Sequence, residues 1–321
     1  MKETKKTPLA KSFWKNQRIL VTGGHGFLGT HLVKHLKKLL PKKLFIPSSS
    51  QFDLRDPEAC KSVVKDIDII IHLAARVGGI GYNQKIPGEM FYDNLIMGVQ
   101  LMEAARRARV KKFVSIGTVC AYPKFCPTPF LEKNLWNGYP EETNAPYGLA
   151  KKMLLVQGQA YRTQYGFNSI YLLPANMYGP GDNFNPHSSH VIPALIKKFV
   201  DAKNDHRSSV IVWGTGKATR EFLYVEDAAS GIIQATERYN GRTPVNLGSN
   251  QEISINHLAN MIKDIVRFNG NIVWDKTKPD GQPRRRLDIS LAQEKFGFRP
   301  ITPLEKGLRK TINWYLKTFT A

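Results

Sequence analysis

A glycine-spaced turn directly after an apolar stretch places the strongest constraint on how this chain folds. Residues 18–22 are apolar enough for a buried strand, and apolar residues at helical spacing over 27–40 predict an amphipathic helix. Glycine permits a tight turn and a close backbone approach, and a helix N-terminus supplies amide donors and partial positive charge. The turn between them is therefore predicted to seat a pyrophosphate, and its members are Gly23, Gly24, His25, Gly26, Phe27, Leu28 and Gly29.

Short β-branched runs alternate with amphipathic stretches through the first two-thirds of the chain. Further strands are predicted at 44–46, 68–73, 113–116 and 169–173. Continuous apolar strands separated by helices are typical of a parallel sheet that is covered on both faces. The predicted fold class is therefore α/β, with a Rossmann-like doubly wound parallel sheet whose ligands bind at the carboxyl ends of the strands.

The last third of the chain is less regular and predicts a smaller C-terminal α/β lobe that binds substrate. It contains a candidate strand at 210–213, a helix at 255–267 that Ser254 can cap, a loop at 278–286 and a final helix at 304–318. The expected organisation is a mobile basic tail at 1–16, a dinucleotide-binding domain at 17–185 with 221–250 returning to it, and a substrate-binding lobe formed by 186–220 and 251–321.

The composition favours a cytoplasmic protein without a membrane span. Hydrophobic residues make up 42% of the 321 residues, yet no apolar run is long enough to cross a bilayer. The N-terminal segment is charged and lacks the apolar core of a secretory signal. Three cysteines, Cys60, Cys120 and Cys126, are an odd number without metal-ligand spacing, so we expect a reducing compartment and no metal site.

The net charge of +21 has two interpretations. A strongly basic chain can bind a polyanion, either nucleic acid or an anionic small molecule. The lysines here are scattered instead of forming one patch interleaved with aromatic residues, which favours solvated faces with a local role in diphosphate binding. We therefore expect no nucleic-acid partner. A non-enzymatic dinucleotide-sensing or nucleic-acid-binding protein remains a distant alternative.

Tyr147 and Lys151 form a Tyr-x-x-x-Lys pair. Residues four apart on a helix share a face, so the phenol and the ammonium would point to one place. A nearby ammonium is expected to lower the pKa of the phenol towards the working pH. Tyr147 could then give a proton to a carbonyl oxygen as hydride arrives at carbon, with Lys151 also holding a nicotinamide ribose. Thr118, after the fourth strand, can bond the same oxygen.

The end of the second strand usually separates NAD from NADP. A carboxylate there would bond the ribose 2′-OH and repel a 2′-phosphate. Here the string 47–51 contains hydroxyls such as Ser48, and the first carboxylate is Asp53. NADP(H) is therefore the favoured cofactor. Because no arginine occurs in this string, NAD(H) stays open.

With these residues in place, the chain resembles the extended short-chain dehydrogenase/reductases, and within them the GDP-L-fucose synthase family of epimerase-reductases. The resemblance runs from about Arg18 to the C-terminus. It rests on four strings: His72-Leu73-Ala74-Ala75-Arg76-Val77-Gly78-Gly79-Ile80, Val119-Cys120-Ala121-Tyr122-Pro123-Lys124, Tyr178-Gly179-Pro180-Gly181-Asp182-Asn183-Phe184 and Ser189-His190-Val191-Ile192-Pro193-Ala194-Leu195.

The resemblance implies NADPH-dependent conversion of GDP-4-keto-6-deoxy-D-mannose to GDP-L-fucose. That family inverts C3 and C5 with a cysteine and a histidine, which match Cys120 and His190, before it reduces C4. It also implies a homodimer through the helices near 87–107 and 147–165. The matching cofactor-contacting residues are Ala74, Ala75, Ile116, Gly117, Pro174, Asn176, Met177 and His190, and the residues matching those that hold the GDP-sugar are Lys198, Trp213, Arg220 and Asp280.

Two positions depart from the family pattern. Thr118 stands where serine is frequent, which keeps the hydroxyl and adds a methyl group. His25 stands in the glycine turn where an arginine is often found near the 2′-phosphate. The alternative function within the same scaffold is a C4-reductase or 4-epimerase acting on another GDP-keto-sugar.

Overall fold

The computed structural model describes residues 9–278, 280 and 282–319, apart from the side chain of Ile80. The described strands are β1 (Arg18–Thr22), β2 (Lys43–Phe45), β3 (Ile69–His72), β4 (Lys112–Ile116), β5 (Ser169–Pro174), β6 (Asn176–Tyr178), β7 (Ser209–Trp213), β8 (Thr219–Tyr224), β9 (Val245–Leu247), β10 (Glu252–Ser254), β11 (Asn271–Asp275) and β12 (Arg284–Arg285). The described α-helices are α1 (Lys11–Lys15), α2 (Phe27–Lys38), α3 (Pro57–Val63), α4 (Ile80–Lys85), α5 (Pro87–Arg107), α6 (Ala145–Tyr165), α7 (Val191–Asn204), α8 (Val225–Arg238), α9 (Ile255–Val266), α10 (Ser290–Phe296) and α11 (Leu304–Phe319).

Six parallel strands form the central sheet, in the order β2-β1-β3-β4-β5-β9. The middle strands β3, β4 and β5 are buried along their whole length. Such strands need helices on both faces, and α2 packs with α8 while α5 packs with α6. The predicted Rossmann-like α/β class is confirmed. The strand order reverses between β1 and β3, and ligands of doubly wound sheets bind at such a switch point.

A smaller lobe contains its own core. Its sheet is formed by β10, β8 and β12, with β6 pairing to β8, and a second pair joins β7 to β11. Helices α7, α9 and α11 cover these strands, and their apolar faces form a separate cluster that includes Phe199, Leu258 and Ile312. Ser254 accepts a hydrogen bond from the amide of His257 at 3.1 Å, which is the predicted cap of α9.

Several segments pack in a different core from the one that the sequence predicts for them. Strand β6 lies within the range 17–185 yet pairs with β8 of the smaller lobe. Conversely, Leu287, Phe296 and Phe298 lie in the range 251–321 yet pack into the core of the large sheet. The return of α8 and β9 to the large sheet follows the predicted segment 221–250. Chain segments therefore cross between the cores at several points.

The N-terminal segment differs from the expected mobile tail at 1–16. Residues 1–8 lie outside the described part of the chain, but α1 is docked on the large core through Trp14, which is fully buried. The Trp14 indole donates to the Glu237 carboxylate at 2.7 Å. A large aromatic surface with a satisfied N–H fixes a short helix well. The prediction of a tail up to residue 16 is therefore wrong for residues 11–15.

Two features are absent from the described residues. No helix among them is long and apolar enough to cross a membrane. No group of three or more His, Cys, Asp or Glu side chains among them is arranged to hold a metal ion.

Candidate active site

A cleft of about 990 Å³ opens at the carboxyl ends of β1, β3, β4 and β5. The structure brings together in its walls every residue that the sequence assigns to the cofactor or to catalysis, from Gly23 to His190. The four residues assigned to the sugar nucleotide lie outside these walls, on the smaller lobe. The candidate site therefore has two parts, which we name the cofactor part, in the cleft, and the sugar-nucleotide part, on the smaller lobe.

The glycine turn forms one end of the cleft. Gly23 has a φ of +67°, and a Cβ there would lie 2.7 Å from the Ala74 amide nitrogen. Gly29 packs its backbone against Gly23, which holds α2 tightly on β1. Gly26 precedes the first residue of α2, and no side chain caps that helix. The first amides of α2 thus face the cleft as free donors, the arrangement that binds a pyrophosphate.

The segment after β2 forms the wall next to this turn. The hydroxyls of Ser48 and Ser50 lie 2.7 Å apart, and His25 contacts the carbonyl of Ile46 at 3.2 Å. Asp53 is held by Arg55 through contacts of 2.7–3.0 Å, and this pairing keeps the pKa of the Asp53 carboxyl below its usual range.

The sequence interpretation missed Arg55. Its guanidinium also reaches Asp93 at 3.3 Å, and Arg55 and Asp93 both line the cleft. The signal that was available is the short Asp-x-Arg spacing immediately beyond the serine string. An arginine at this wall offsets the negative charge of Asp53.

Tyr147 and Lys151 lie on the first two turns of α6 and face the cleft together. The prediction that the pKa of Tyr147 is lowered is wrong. Burial raises this pKa, and the Cys120 thiol raises it further. A hydrogen bond with the Thr118 side chain lowers it, but by less than the other two causes raise it. Burial also lowers the pKa of the Lys151 ammonium to about 8. Helical spacing predicted the shared face correctly but carries no information on how deeply the face is buried.

Cys120 and His190 come from two different elements. Cys120 belongs to a short 3₁₀ helix, Val119–Ala121, whose cap is the Thr118 hydroxyl, which accepts from the Cys120 amide at 3.2 Å. His190 immediately precedes α7, and its side chain makes no capping bond. The side chain of His190 opens into the cleft, and the cleft walls surround it. This burial lowers the pKa of its imidazole. Both residues thus present polar atoms to one cavity.

Gly79 explains why the His190 segment is held where it is. Its amide donates to the Ser188 carbonyl at 3.0 Å, and a Cβ at Gly79 would lie 2.7 Å from the Ser189 carbonyl oxygen. Only glycine permits this close approach of the two chain segments. The string Val77-Gly78-Gly79 therefore positions the start of α7.

The sugar-nucleotide residues form a second group on the smaller lobe. Trp213 ends β7 with 60% of its surface exposed. The ammonium groups of Lys198 and Lys278 lie 5.7 Å and 5.5 Å from its ring centroid. Lys198 also donates to the Ile211 carbonyl at 2.9 Å. An exposed indole flanked by two cations is a surface on which a planar, anionic ligand can rest.

Asp280 and Arg220 are connected by a hydrogen bond from the Arg220 side chain to the backbone of Asp280. The Asp280 carboxylate accepts from the amide and the hydroxyl of Thr215 at 2.7 and 2.6 Å. Arg220 donates to the carbonyls of Asp280 and Thr219 at 3.0 and 2.7 Å. Burial and then the charge of Arg285 lower the pKa of Arg220 to about 10, so it stays charged at neutral pH. Arg220 makes no ion pair with its neighbour Glu221.

Arg285 links the two parts and was missed from the sequence. Its guanidinium lies 3.7 Å from the sulfur of Cys120, a residue of the cleft wall. Arg285 belongs to β12, which pairs with β8 so that Arg285 lies opposite Arg220. The available signal was the run Arg284-Arg285-Arg286 in the predicted loop 278–286. A run of arginines alone does not reveal which one points into a site.

Together, the doubly wound sheet and the Tyr147–Lys151 pair in its cleft define a nicotinamide-dependent oxidoreductase of the short-chain dehydrogenase/reductase class. The family model for "NAD dependent epimerase/dehydratase family" matches residues 19–248. The chain belongs to this family.

Similar proteins agree on the scaffold. The chain is 39% identical over 320 residues to "GDP-L-fucose synthase 1" of Arabidopsis thaliana, covering 99% of this chain and 98% of that protein. A crystal structure of a GDP-L-fucose synthetase from Naegleria fowleri bound to NADP is 30% identical with a TM-score of 0.85, covering 96% of both chains. A GDP-6-OMe-4-keto-L-xylo-heptose reductase from C. jejuni is 27% identical with a TM-score of 0.87, covering 94% of this chain and 98% of that one.

Proposed function

We propose that the protein converts GDP-4-keto-6-deoxy-D-mannose to GDP-L-fucose, with NADPH as reductant, by inverting C3 and C5 and then reducing C4. One observation carries the proposal: Thr118, Cys120, Tyr147, Lys151 and His190 all line one cleft. A plain reductase needs the hydroxyl pair and the lysine but has no use for a thiol and an imidazole beside them. The name of the Arabidopsis relative supports the same activity.

The cleft fits a nicotinamide dinucleotide. The free amides at the start of α2 would hold the pyrophosphate, and Lys151 would hold the nicotinamide ribose. The segments Ile116-Gly117 and Pro174 to Met177 also line the cleft and would supply further contacts to the cofactor. Ser48 offers a hydroxyl to a 2′-phosphate, and Arg55 neutralises the nearest carboxylate, which favours NADP over NAD. The NADP in the Naegleria structure supports this choice.

Epimerisation uses the acidity of protons next to a ketone. The Cys120 thiolate takes the proton from the carbon, so that an S–H bond forms and the C–H electron pair moves into an enolate whose charge lies on the C4 oxygen. Thr118 and Tyr147 can donate hydrogen bonds to that oxygen. The protonated His190 returns a proton to the opposite face, which restores the C–H bond with inverted configuration. Cys120 then loses its proton to water and His190 takes one from water, so that the same pair can invert the second carbon. Burial lowers the pKa of His190, so its imidazolium is the minor form at neutral pH but gives up its proton more readily.

Reduction follows at C4. When bound, NADPH supplies the hydride to this carbon. Tyr147 gives its phenolic proton to the C4 oxygen, while Thr118 holds that oxygen and the Lys151 ammonium stabilises the resulting phenolate. Because burial raises the pKa of Tyr147, the phenol is fully protonated before the step and is available as the acid.

The smaller lobe would hold the nucleotide part of the substrate. Arg220 and Lys198 supply positive charge to the diphosphate, Trp213 packs against an apolar ring face, and Asp280 accepts hydrogen bonds from hydroxyls or from the base. The division into a dinucleotide-binding domain and a substrate-binding lobe that closes over the cleft belongs to the same proposal.

We also propose a homodimer in the cytoplasm. Helices α5 and α6 pack together along their length and leave Phe91, Tyr92 and Val156 between 39% and 60% exposed. Exposed apolar side chains on two adjacent long helices are suited to a two-fold four-helix interface. The three cysteines are free thiols, in agreement with a reducing compartment. Sedimentation of the protein and of Val156→Asp tests the dimer.

The test of the activity is turnover in deuterated water. The purified protein, NADPH and GDP-4-keto-6-deoxy-D-mannose should consume NADPH and give GDP-L-fucose that carries deuterium at C3 and C5 by NMR. A reduced product without deuterium at those carbons would contradict epimerisation. NADH assayed in parallel tests the cofactor choice.

A second candidate is a C4-reductase acting on another GDP-keto-sugar. The C. jejuni heptose reductase, with its TM-score of 0.87, favours it as the alternative. Reduction of a GDP-4-keto-heptose without deuterium incorporation, at a higher rate than that of the deoxymannose substrate, would establish this second function instead.

A further inference from the structure

Gln282 is a buried polar side chain that the proposed mechanism does not use. Only 7% of its surface is exposed. Its amide nitrogen donates to the carbonyl of Lys124 at 2.7 Å and to that of Pro123 at 3.4 Å. These carbonyls belong to the loop that directly follows Cys120. Gln282 therefore ties the chain near β12 to the thiol-bearing segment.

The other end of the Gln282 side chain holds Arg285. The Arg285 Nε donates to the Gln282 Oε1 at 3.1 Å, and its Nη1 contacts the Cys120 sulfur at 3.7 Å. Because a guanidinium is planar and rigid, a hydrogen bond at its Nε also fixes the direction in which its other N–H groups point. The contacts form a continuous chain from the Lys124 carbonyl through Gln282 and Arg285 to Cys120.

Charged and polar side chains from several elements surround Cys120. Arg285 on β12 touches it, and Arg220 on β8 lies near enough to interact with its charge. Tyr147 on α6 is a neutral phenol at neutral pH, since burial raises its pKa. His190, before α7, opens into the same cleft. The Asp280 carboxylate is engaged by Thr215. One guanidinium group thus contacts the sulfur, and a second interacts with it electrostatically.

We propose that Arg285, aimed by Gln282, is a positioning residue that directs the Cys120 sulfur into the cleft and stabilises the negative charge that this sulfur carries when it acts as a base. The step that this prepares, removal of the proton next to the ketone, rests on the function proposed above. The stabilisation of the charged sulfur does not, because a cation beside a sulfur favours the ionised form whatever substrate is bound.

The direct test measures how fast iodoacetamide alkylates Cys120 as pH is varied, by mass spectrometry of the full-length protein after digestion. The thiolate is the reactive form, so the rate follows its population. In Arg285→Gln we expect the rise in rate to move to higher pH and the rate at neutral pH to fall about 10-fold. Gln282→Leu should shift the profile in the same direction by a smaller amount, and Arg285→Lys should restore part of the rate.

Internal references and a matched control accompany these variants. Burial raises the pKa of Cys126, and burial followed by nearby carboxylates raises that of Cys60 to about 12, so both should react slowly in every variant. Arg284 is the matched control, because it is exposed and paired with Glu252 at 2.6 Å. Arg284→Gln should keep the parent profile. An unchanged Cys120 profile in both Arg285→Gln and Gln282→Leu would overturn the proposal, as would Arg285→Lys being no faster than Arg285→Gln.

A second readout separates this proposal from the proposed function. Deuterium exchange at C3 and C5 of GDP-4-keto-6-deoxy-D-mannose should fall in Arg285→Gln and recover as pH rises. If the parent protein shows no exchange but Cys120 reactivity still depends on Arg285, the substrate assignment fails and the positioning role stands. If exchange occurs and the alkylation profile does not depend on Arg285, the positioning role alone fails.

Discussion

The cofactor part and the sugar-nucleotide part of the site are built in different ways. Tyr147, Lys151 and Thr118 lie on elements of one parallel sheet and the helix that covers it, where burial dominates their electrostatics. Arg220 and Asp280 lie on strands and loops of the smaller lobe, where hydrogen bonds with backbone groups hold both charged side chains in place. In the proposed function, the first part moves a proton and the second attracts an anion.

This difference predicts that substitutions separate into two classes. Changes in the cofactor part should lower the rate of reduction and leave the affinity for the GDP-sugar nearly unchanged. Changes on the smaller lobe should raise KM for the sugar and leave NADP binding unchanged. Substitutions at the junction of the two should affect stability.

The largest effect is expected from Tyr147→Phe. Loss of the phenolic proton should reduce kcat for C4 reduction by about 10²–10⁴-fold, the usual contribution of a positioned general acid. NADPH consumption under saturating GDP-4-keto-6-deoxy-D-mannose measures the rate, and fluorescence titration measures NADPH affinity, which should stay within a few-fold of the parent. Tyr165→Phe, at the exposed end of the same helix, is the control. A Tyr147→Phe protein with full reductase activity would contradict the proposed acid.

Arg220→Gln should have the next largest effect, and on KM instead of kcat. A hydrogen bond to a charged group contributes about 1.5–3 kcal/mol, which corresponds to about 10–150-fold in affinity for the GDP-sugar. Steady-state kinetics with varied sugar nucleotide at saturating NADPH measures it. Arg309→Gln, which removes an exposed arginine paired with Glu305, is the control. A fall in kcat with an unchanged KM would place Arg220 in the chemical step and remove the distinction between the two parts.

The same distinction explains how much the sequence could predict. Gly23, Tyr147 and Lys151 belong to patterns shorter than two helical turns, so their neighbours in space follow from local geometry. The parallel sheet follows from strand periodicity in the same way. The direction of the Tyr147 pKa shift could not be predicted, because the extent of burial depends on packing by distant segments.

Arg285 and Trp14 show the remaining limit. Arg285 reaches Cys120 only because β12 pairs with β8, a pairing between residues far apart in the chain that no local pattern encodes. Trp14 docks on α8 through Glu237, so a basic segment that looks like a tail becomes part of the core. Contacts of this kind depend on the assembled fold, and single-residue motifs carry no signal for them.

Glu221→Gln tests the junction between the two parts. The Glu221 carboxylate is 2% exposed and accepts from the amides of Asn250 at 2.6 Å and Leu287 at 2.7 Å. The carbonyl oxygen of a glutamine can accept only one of these two hydrogen bonds. Its NH2 group then faces the other backbone amide, so that two donors meet. We expect a loss of about 2 kcal/mol in the free energy of unfolding, measured by urea denaturation.

The control for this substitution is Glu305→Gln, which removes an exposed carboxylate from the same lobe. Because Glu221 is next to Arg220, KM for the GDP-sugar should also rise in Glu221→Gln. NADP affinity should remain close to that of the parent. Parent-like stability in Glu221→Gln would mean that the junction does not depend on this carboxylate.

The smallest effect is the pH dependence of NADP binding through Lys151. Burial lowers the pKa of this ammonium to about 8 in the free protein, so the charge is present below pH 8 and is lost above it. A charged donor binds about 1 kcal/mol more strongly than a neutral one, so Kd for NADP should increase about 5-fold from pH 7 to pH 9.5. Isothermal titration calorimetry across this range measures the change.

The stability of the free protein should change in the opposite sense over a related window. The pKa of Lys151 is lower in the folded chain than its ordinary value of about 10.4, so between pH 8 and about 10.4 the unfolded chain holds more protons at this site. The contribution of Lys151 to the free energy of unfolding therefore increases with pH in that window. Lys151→Met should bind NADP more weakly and lose both pH dependences. A parent-like increase of Kd with pH in Lys151→Met would assign the titration to another group in the cofactor part.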